Sequence, residues 1–121
     1  MKISVQRETL LKLLQLVAGV VERRQTLPIL ANVLLKMKSK VLTVTGTDLE
    51  VELQARATLE NSGENGEITV PARKLMDICR SLSDDQIIEL NYDDPKLNIR
   101  SGRSRFSLTT LPAKDFPNAE D

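Results

Sequence analysis

Apolar residues recur along the chain with a helical spacing in two places. Between Arg7 and Val17, leucines return every three or four residues, which predicts an amphipathic helix that closes near Gly19. A second helix is predicted to begin at Pro71, because proline suits the first helical position, where no free N–H is needed. The apolar stripe of this second helix consists of Leu75, Ile78, Cys79 and Leu82.

Elsewhere apolar and polar residues alternate with a period of two, which is typical of antiparallel strands with one face in water. The longest run has an apolar side made of Leu49, Val51, Leu53, Ala55 and Ala57. Turn residues separate the runs, as in 46–48, 61–63 and 93–95. The shorter alternating runs are Val33–Met37, Leu42–Val44, Ile88–Tyr92, Leu97–Ile99 and Phe106–Leu108.

The predicted elements fall into two similar halves, about 1–66 and 67–121. Each half reads strand, helix, three strands, and residues 5–13 overlay residues 70–78 with apolar positions matched. Leu42, Val44, Val51 and Leu53 likewise overlay Leu97, Ile99, Phe106 and Leu108. We therefore predict an α+β fold, a duplicated βαβββ unit with two helices packed side by side on antiparallel sheets. The outer faces of the helices are where we expect the functional surface.

Composition narrows the possible functions. Lys plus Arg and Asp plus Glu both number 17, and there is no histidine, the commonest general base and metal ligand. Cys79 is the only cysteine, which excludes an intrachain disulfide, and no apolar run has the length of a signal peptide or a membrane span. We expect a cytoplasmic protein that binds no membrane, metal or cofactor.

The charges are unevenly distributed. Seven basic residues in the helices and the loop after the first helix oppose three acidic ones, namely Arg7, Lys12, Arg23, Arg24, Arg73, Lys74 and Arg80 against Glu8, Glu22 and Asp77. The segment 49–67 carries Glu50, Glu52, Glu60, Glu64 and Glu67 against Arg56. Both sets could be ordinary solvated faces, or the helices could face a polyanion. A neutral domain would bind DNA weakly by charge alone, so a DNA-bound role would require enclosure.

Several strings, in one register over the whole chain, resemble the bacterial DNA polymerase III beta subunit, the sliding clamp. They are Thr26–Leu30, Gly46–Glu50, Val70–Lys74, Ser101–Pro112 and Asp115–Pro117. The resemblance implies the DNA-clamp fold and the first of three domains of a longer chain. In that family two chains close head to tail into a ring around double-stranded DNA and tether the polymerase without catalysis. Because the sequence matches only the first domain and stops just after Asp115–Pro117, we expect it to be a fragment. Polymerase and clamp loader bind a pocket in later domains of the family.

The resemblance also assigns candidate site residues. It implies DNA contacts by Arg24 and Arg73, since guanidinium groups bind phosphate oxygens well. Arg23, Lys74 and Arg80 are weaker candidates for the same role. It also implies that the last strand closes the ring, through Lys96, Arg103, Arg105, Phe106 and Leu108. Alternatively, Phe106 and Leu108 face the domain's own core.

Two other classes of function were weighed against this one. An enzyme would have to use carboxylates as metal ligands, at Asp48 with Glu50, Asp84 with Asp85, or Asp93 with Asp94. The last two pairs lie in segments where aspartate is expected as a turn residue. A protein-interaction module would recruit a partner strand at a sheet edge and would need no basic helices.

Overall fold

The computed structural model describes residues 1–21, 27–61 and 63–117, and the elements found there follow the predicted order. The helices are α1 (Arg7–Val17) and α2 (Ala72–Arg80). The strands are β1 (Lys2–Gln6), β2 (Asn32–Lys38), β3 (Val41–Thr47), β4 (Glu52–Thr58), β5 (Gly66–Pro71), β6 (Ile87–Asp93), β7 (Lys96–Ser101) and β8 (Ser104–Thr109). Short 3₁₀ turns occupy Ala18–Val20, Pro28–Ala31 and Ala113–Asp115.

The strands form two antiparallel four-stranded sheets that exchange their first members. One sheet has the order β1-β6-β7-β8 and the other the order β4-β3-β2-β5. The first strand of each half thus joins the sheet formed by the last three strands of the other half: β1 pairs with β6, and β5 pairs with β2. This exchanged arrangement is what two intertwined copies of one βαβββ unit would produce, and it holds both halves in one core.

The core lies between the inner faces of the two sheets and the apolar stripes of the helices. Alternation correctly identified the inward residues of most strands, among them Leu35, Val44, Leu90 and Ile99, each at most 1% exposed. From α1 the core receives Leu10, Leu13, Leu14 and Val17, and from α2 it receives Ala72, Leu75, Met76, Ile78 and Cys79. The exposed sides of both helices therefore point away from the sheets, as predicted.

The two helices run antiparallel beside each other, and this direction fixes the two ends of the domain. At one end, the Nε atom of Arg7 in α1 donates to the carbonyl oxygen of Cys79 near the end of α2, over 2.7 Å. At the other end, the segment after α1 approaches β3, because a Cβ built on Gly46 would lie only 3.0 Å from the Val21 side chain and 3.2 Å from the Val17 carbonyl oxygen. We call this second end the Gly46 end.

A buried polar network fastens the last part of the chain to the second sheet. The Thr69 hydroxyl accepts a hydrogen bond from the Asn32 side-chain amide at 3.0 Å and donates to the Leu111 carbonyl oxygen at 2.9 Å. Thr69 is fully buried, so each of these polar groups needs its partner. The network leads the chain into the turn at 113–115, after which Phe116 is buried.

Two predictions about element boundaries were wrong. Pro71 is not the first residue of α2; it ends β5, paired with Asn32, and directly precedes the helix. The long alternating run is not all strand, since β4 begins only at Glu52. Leu49 and Val51 therefore lie in the β3–β4 loop rather than on the apolar face of a strand, and they are 61% and 47% exposed.

Candidate nucleic-acid and subunit interfaces

The first turn of α2 has the properties of an anion-binding surface. Arg73 and Lys74 are exposed there, while Ala72 and Leu75 beside them are buried and hold the helix in place. The turn contains no acidic residue, and no side chain of the described residues caps its backbone N–H groups. The free N–H groups and the positive end of the helix dipole therefore add to the two side-chain charges.

The remaining helical charges are partly neutralised. The Arg80 guanidinium lies 3.6 Å from the Asp77 carboxylate on the same helix face, both exposed. On α1, Lys12 and Glu8 are exposed four residues apart. The net positive potential of the described helix face thus comes chiefly from the start of α2. Two of the predicted DNA contacts, Arg23 and Arg24, lie outside the described residues.

Arg7 does not belong to the exposed basic layer in which the sequence analysis placed it. Its side chain is only 12% exposed, and its Nη1 atom lies 3.1 Å from Oδ1 of Asp84. Together with the bond to the Cys79 carbonyl, this ion pair commits the guanidinium to joining the two helices. Helical periodicity placed Arg7 at the start of α1 correctly but could not reveal a partner 77 residues away.

Strand β8 is an edge strand that, in the described part of the chain, pairs only with β7. Arg105 is exposed on its outward side, and Arg103 is exposed in the turn before it. Lys96 is exposed on β7, and its Nζ donates to the Thr109 hydroxyl over 2.8 Å. The edge thus combines unpaired backbone groups with exposed basic side chains on and beside it.

The two apolar residues proposed for the subunit interface differ in their surroundings. Leu108 belongs to the domain's own core and is 8% exposed, so its side chain offers little surface to a partner. Phe106 is only partly buried against that core, with Ile99 as its cross-strand neighbour. The sequence left open whether these residues contact a second subunit or face the domain's own core. Leu108 faces the core, and Phe106 keeps exposed surface that a partner could contact.

The outer face of the first sheet adds residues that the sequence analysis missed. Register places Ser4, Glu89, Arg100 and Arg105 in one row across all four strands. Arg100 is bound to Glu89 at 2.6 Å, which leaves Arg105 as the unpaired charge of that row among the described contacts. The row borders a shallow cavity of about 730 Å³. Alternation alone could have put Arg100 on this face, but its partner depends on the register between strands.

The glutamates of the segment 49–67 are dispersed and do not form an acidic face opposite the helices, contrary to the expectation from the charge count. Glu52 on β4 and Glu67 on β5 lie on opposite edges of the second sheet and border the same depression of about 420 Å³. Lys36 on β2 lies between them, opposite Glu67. Glu64 is separate, 3.7 Å from the N-terminal ammonium group. On the same face the register also places Lys38 and Arg56, and Lys114 borders the depression, so this sheet face carries more basic than acidic side chains.

In each pair of carboxylates weighed as metal ligands, one member is bound by neighbouring groups of the fold. Asp48 accepts hydrogen bonds from the backbone N–H groups of Val51 at 2.7 Å and Glu50 at 2.9 Å, and these bonds lower the pKa of its carboxyl group. Asp84 pairs with Arg7, and Asp94 accepts a hydrogen bond from the Tyr92 hydroxyl. Among the described residues, no group of three or more acidic, cysteine or histidine side chains is placed to hold a metal ion.

None of the helices described by the structure is long and apolar enough to cross a membrane. Two helices lie on two antiparallel sheets, with a basic helix start on one side and an open strand edge at the end of one sheet. This architecture is that of the DNA-clamp class. The family model for the DNA polymerase III beta subunit, N-terminal domain, matches residues 1–120, and the chain belongs to that family.

Individual relatives agree with this assignment. The beta sliding clamp of Pseudomonas putida is 63% identical over 121 residues, which are all of this chain and 33% of that protein. A Vibrio harveyi beta sliding clamp sequence is 56% identical, with 83% of its length covered. The crystal structure of the Pseudomonas aeruginosa DNA polymerase III subunit beta superposes with a TM-score of 0.95 at 60% identity, over all of this chain and 32% of that one. The chain thus spans about a third of the length of the Pseudomonas relatives.

Proposed function

We propose that this chain is the first of three domains of a replicative sliding clamp, a non-catalytic ring that encircles double-stranded DNA and tethers the polymerase to it. The observation that carries the proposal is the family match over residues 1–120, because it covers nearly the whole chain. Within this proposal, the halves at about 1–66 and 67–121 are copies of one unit. Polymerase and clamp loader would bind chiefly through the later domains.

In this ring the helices line the hole and contact the DNA backbone without reading its sequence. Arg73 is the best supported contact in the described residues, because it is exposed in a helix turn free of acidic side chains. Lys74 and Arg80 would add weaker contacts, and Arg23 and Arg24 are proposed from the family resemblance alone. So few phosphate contacts give only weak affinity, which suits a protein that must slide.

Ring closure would use β8 against an acidic strand of a second subunit, since a heterologous contact that closes on itself forms a ring. Lys96, Arg103 and Arg105 would supply the charges and Phe106 the apolar contact, while Leu108 would support Phe106 from the core. Replacing both Arg103 and Arg105 by Glu in the natural-length chain should convert the dimer into monomers in analytical ultracentrifugation. A Lys38→Glu change on the exposed side of β2 provides the control.

Topological retention tests the main proposal. The natural-length chain would be loaded onto nicked circular DNA by its clamp loader and followed by gel filtration before and after a single cut of the circle. We expect the protein to stay on circles and to leave linear DNA. Equal retention on both forms would indicate binding by affinity and would exclude the ring.

An interaction module that only recruits a partner strand is the second candidate, because the open edge of β8 supports it equally. The basic start of α2 separates the two functions. Reversing the charge of Arg73 should weaken the direct binding of a clamp to duplex DNA and should leave the binding of a partner strand unaffected.

A further inference from the structure

Most of the exposed large apolar side chains in the described residues lie at the Gly46 end. Leu16 is in the last turn of α1, which reaches this end, and Leu27 precedes the turn that leads into β2. Leu49 and Val51 are in the β3–β4 loop, next to the last residue of β3. Only Ile87, which is 53% exposed, lies elsewhere: it pairs with Gln6, just before α1 begins. The length of α1, about 16 Å for 11 residues, separates the two locations.

The β3–β4 loop holds its apolar side chains in a fixed position. The Thr47 hydroxyl donates to the Val51 carbonyl oxygen at 2.9 Å and accepts from the Leu49 N–H at 3.1 Å. The Asp48 carboxylate accepts from the N–H groups of both Glu50 and Val51. A further bond joins the Asp48 N–H to the Val51 carbonyl oxygen at 3.2 Å. Together these bonds define one conformation for the segment 47–51, the last residue of β3 and the four loop residues after it, which we call the loop 47–51.

This conformation is unfavourable for the residue at its tip. Leu49 has a φ of 83°, a left-handed backbone conformation that side chains other than glycine and asparagine rarely adopt. The same side chain is 61% exposed, so burial does not compensate for the strain. Glycine at this position would remove both the strain and the exposed apolar surface. A strained and exposed leucine in a rigid loop indicates that the side chain has a role outside the fold.

The charges around the loop indicate the chemistry of a partner. Glu50 is exposed and Glu52 half-buried, and neither forms an ion pair with another described residue. In the second sheet β5 lies two strands away from β3. At the end of the sheet that carries the loop, β5 leads into α2, whose first turn contains Arg73. Two strand spacings are about 10 Å. A protein bound at the loop would therefore lie beside the DNA contact proposed for Arg73.

We propose that the loop 47–51 is a docking surface for the polymerase, with Leu49 and Val51 entering an apolar hollow bordered by lysine or arginine. The inference rests on the proposed clamp function and gives it a second polymerase contact in this domain. The polymerase is the partner that fits, because it must hold the same duplex where it leaves the ring. Glu50 and Glu52 would then face the basic border of the hollow.

The test compares the two exposed apolar side chains of the loop with one exposed apolar side chain outside it, in the natural-length ring. The purified cognate replicative polymerase would be titrated in solution against the wild-type ring, the double variant Leu49→Ser with Val51→Ser, and the control Ile87→Ser. We expect the dissociation constant to rise by about tenfold or more for the double variant and by less than about twofold for the control. Leu49→Gly should weaken binding too, yet raise the melting temperature, because it relieves the strained backbone.

Each other outcome would contradict the docking surface. Unchanged binding by the double variant would exclude it, and an equal loss in Ile87→Ser would show a general effect of exposed serines. Loss of clamp-loader binding with polymerase binding intact would assign the loop to a different partner. Retention of the wild-type ring on circular DNA, measured separately, tests the clamp function itself, so the failure of one proposal is distinguishable from the failure of the other.

Discussion

At the scale of single residues, Arg7 shows why a charged side chain cannot be assigned to a surface from its position in a helix. Its guanidinium satisfies a carbonyl oxygen near the end of α2 and pairs with Asp84, so it joins both helices. The bond to the carbonyl is part-buried, whereas Asp84 is 81% exposed. Most of the stabilising effect should therefore come from the carbonyl bond, since exposed ion pairs contribute little.

Replacing Arg7 by Ala should accordingly lower the free energy of unfolding by about 1.5–2 kcal/mol, because it removes a charged donor from a part-buried carbonyl oxygen that keeps the Leu82 N–H as a partner. Asp84→Ala, which removes only the exposed partner, should cost less than about 1 kcal/mol. Urea unfolding monitored by circular dichroism measures both values. Equal losses in the two variants would show that the ion pair, and not the carbonyl bond, is the important interaction.

Cys79 provides a second prediction at this scale. Burial raises the pKa of its thiol from the ordinary value of 9.0 to about 11, and the nearby charges of Arg7 and Arg80 only partly oppose this. The thiol therefore stays protonated at pH 8, and the folded protein should not react with iodoacetamide, while the unfolded chain should react readily. Rapid labelling of the folded protein at pH 8 would contradict the burial of Cys79.

The same shift predicts how stability depends on pH. Below pH 9 the thiol is protonated in both the folded and the unfolded state and contributes no pH dependence. Between about 9 and 11 the unfolded thiol ionises and the folded one does not, so stability falls as the pH rises. Cys79→Ala should lose this part of the alkaline decline in unfolding experiments. An identical alkaline slope in the variant would assign the decline to other groups.

At the scale of elements, alternation and helical spacing predicted the helices and most inward faces because each depends on local geometry. The error at Leu49 and Val51 has a local cause too. These residues continue the alternation of the following strand, but the side chains of Thr47 and Asp48 bind their backbone N–H groups and hold them in a loop. The exchange of β1 and β5 between sheets could not be predicted, because pairing partners lie far apart in the chain.

In the candidate site, too, features set by local patterns were predicted, and features set by contacts between elements were not. The exposure of Arg73 and Lys74 followed from the apolar stripe of α2, which is a local pattern. The pairing of Arg100 with Glu89, the burial of Arg7 and the near-complete burial of Leu108 depend on contacts between elements. Sequence patterns therefore located the basic helix start and the edge strand but did not show which of their side chains are free to bind.

The β7–β8 hairpin, which carries Arg103 and Arg105, depends on a glycine in its turn. Gly102 has a φ of 57°, and a Cβ atom there would lie 3.2 Å from the Gln86 side-chain nitrogen. Gly102→Ala should therefore destabilise the domain by about 1 kcal/mol in thermal unfolding. Gly19→Ala is the matched control, because a Cβ there meets no atom within 4 Å. The control should be neutral or slightly stabilising, and equal effects of the two changes would contradict a special role for the turn.

At the scale of the whole molecule, the distribution of charge helps to distinguish two ways of staying on DNA, binding by phosphate contacts and retention by enclosure. The described helix face has an exposed basic turn at 73–74 with free backbone N–H groups beside it, whereas on the outer face of the second sheet Lys36 and Arg56 lie among Glu52 and Glu67. Such a domain has a preferred side for DNA but too few contacts to remain bound at physiological salt without enclosure. The contribution of Arg73 to affinity should therefore be separable from its contribution to retention.

Arg73→Glu in the natural-length ring should weaken direct binding to linear duplex and reduce the dependence of log K on log salt by about one, the effect of losing one phosphate contact. Arg56→Glu, the same charge reversal at an exposed arginine on the outer face of the second sheet, should alter neither. Both variants, once loaded, should remain on circular DNA as long as the wild type does, because a closed ring cannot leave by dissociating from phosphates. If the retention of Arg73→Glu on circles fell in proportion to its affinity for linear DNA, charge would be what holds the protein there. The ring would then have to open on DNA, and the strength of the β8 edge contact would set the lifetime of the complex.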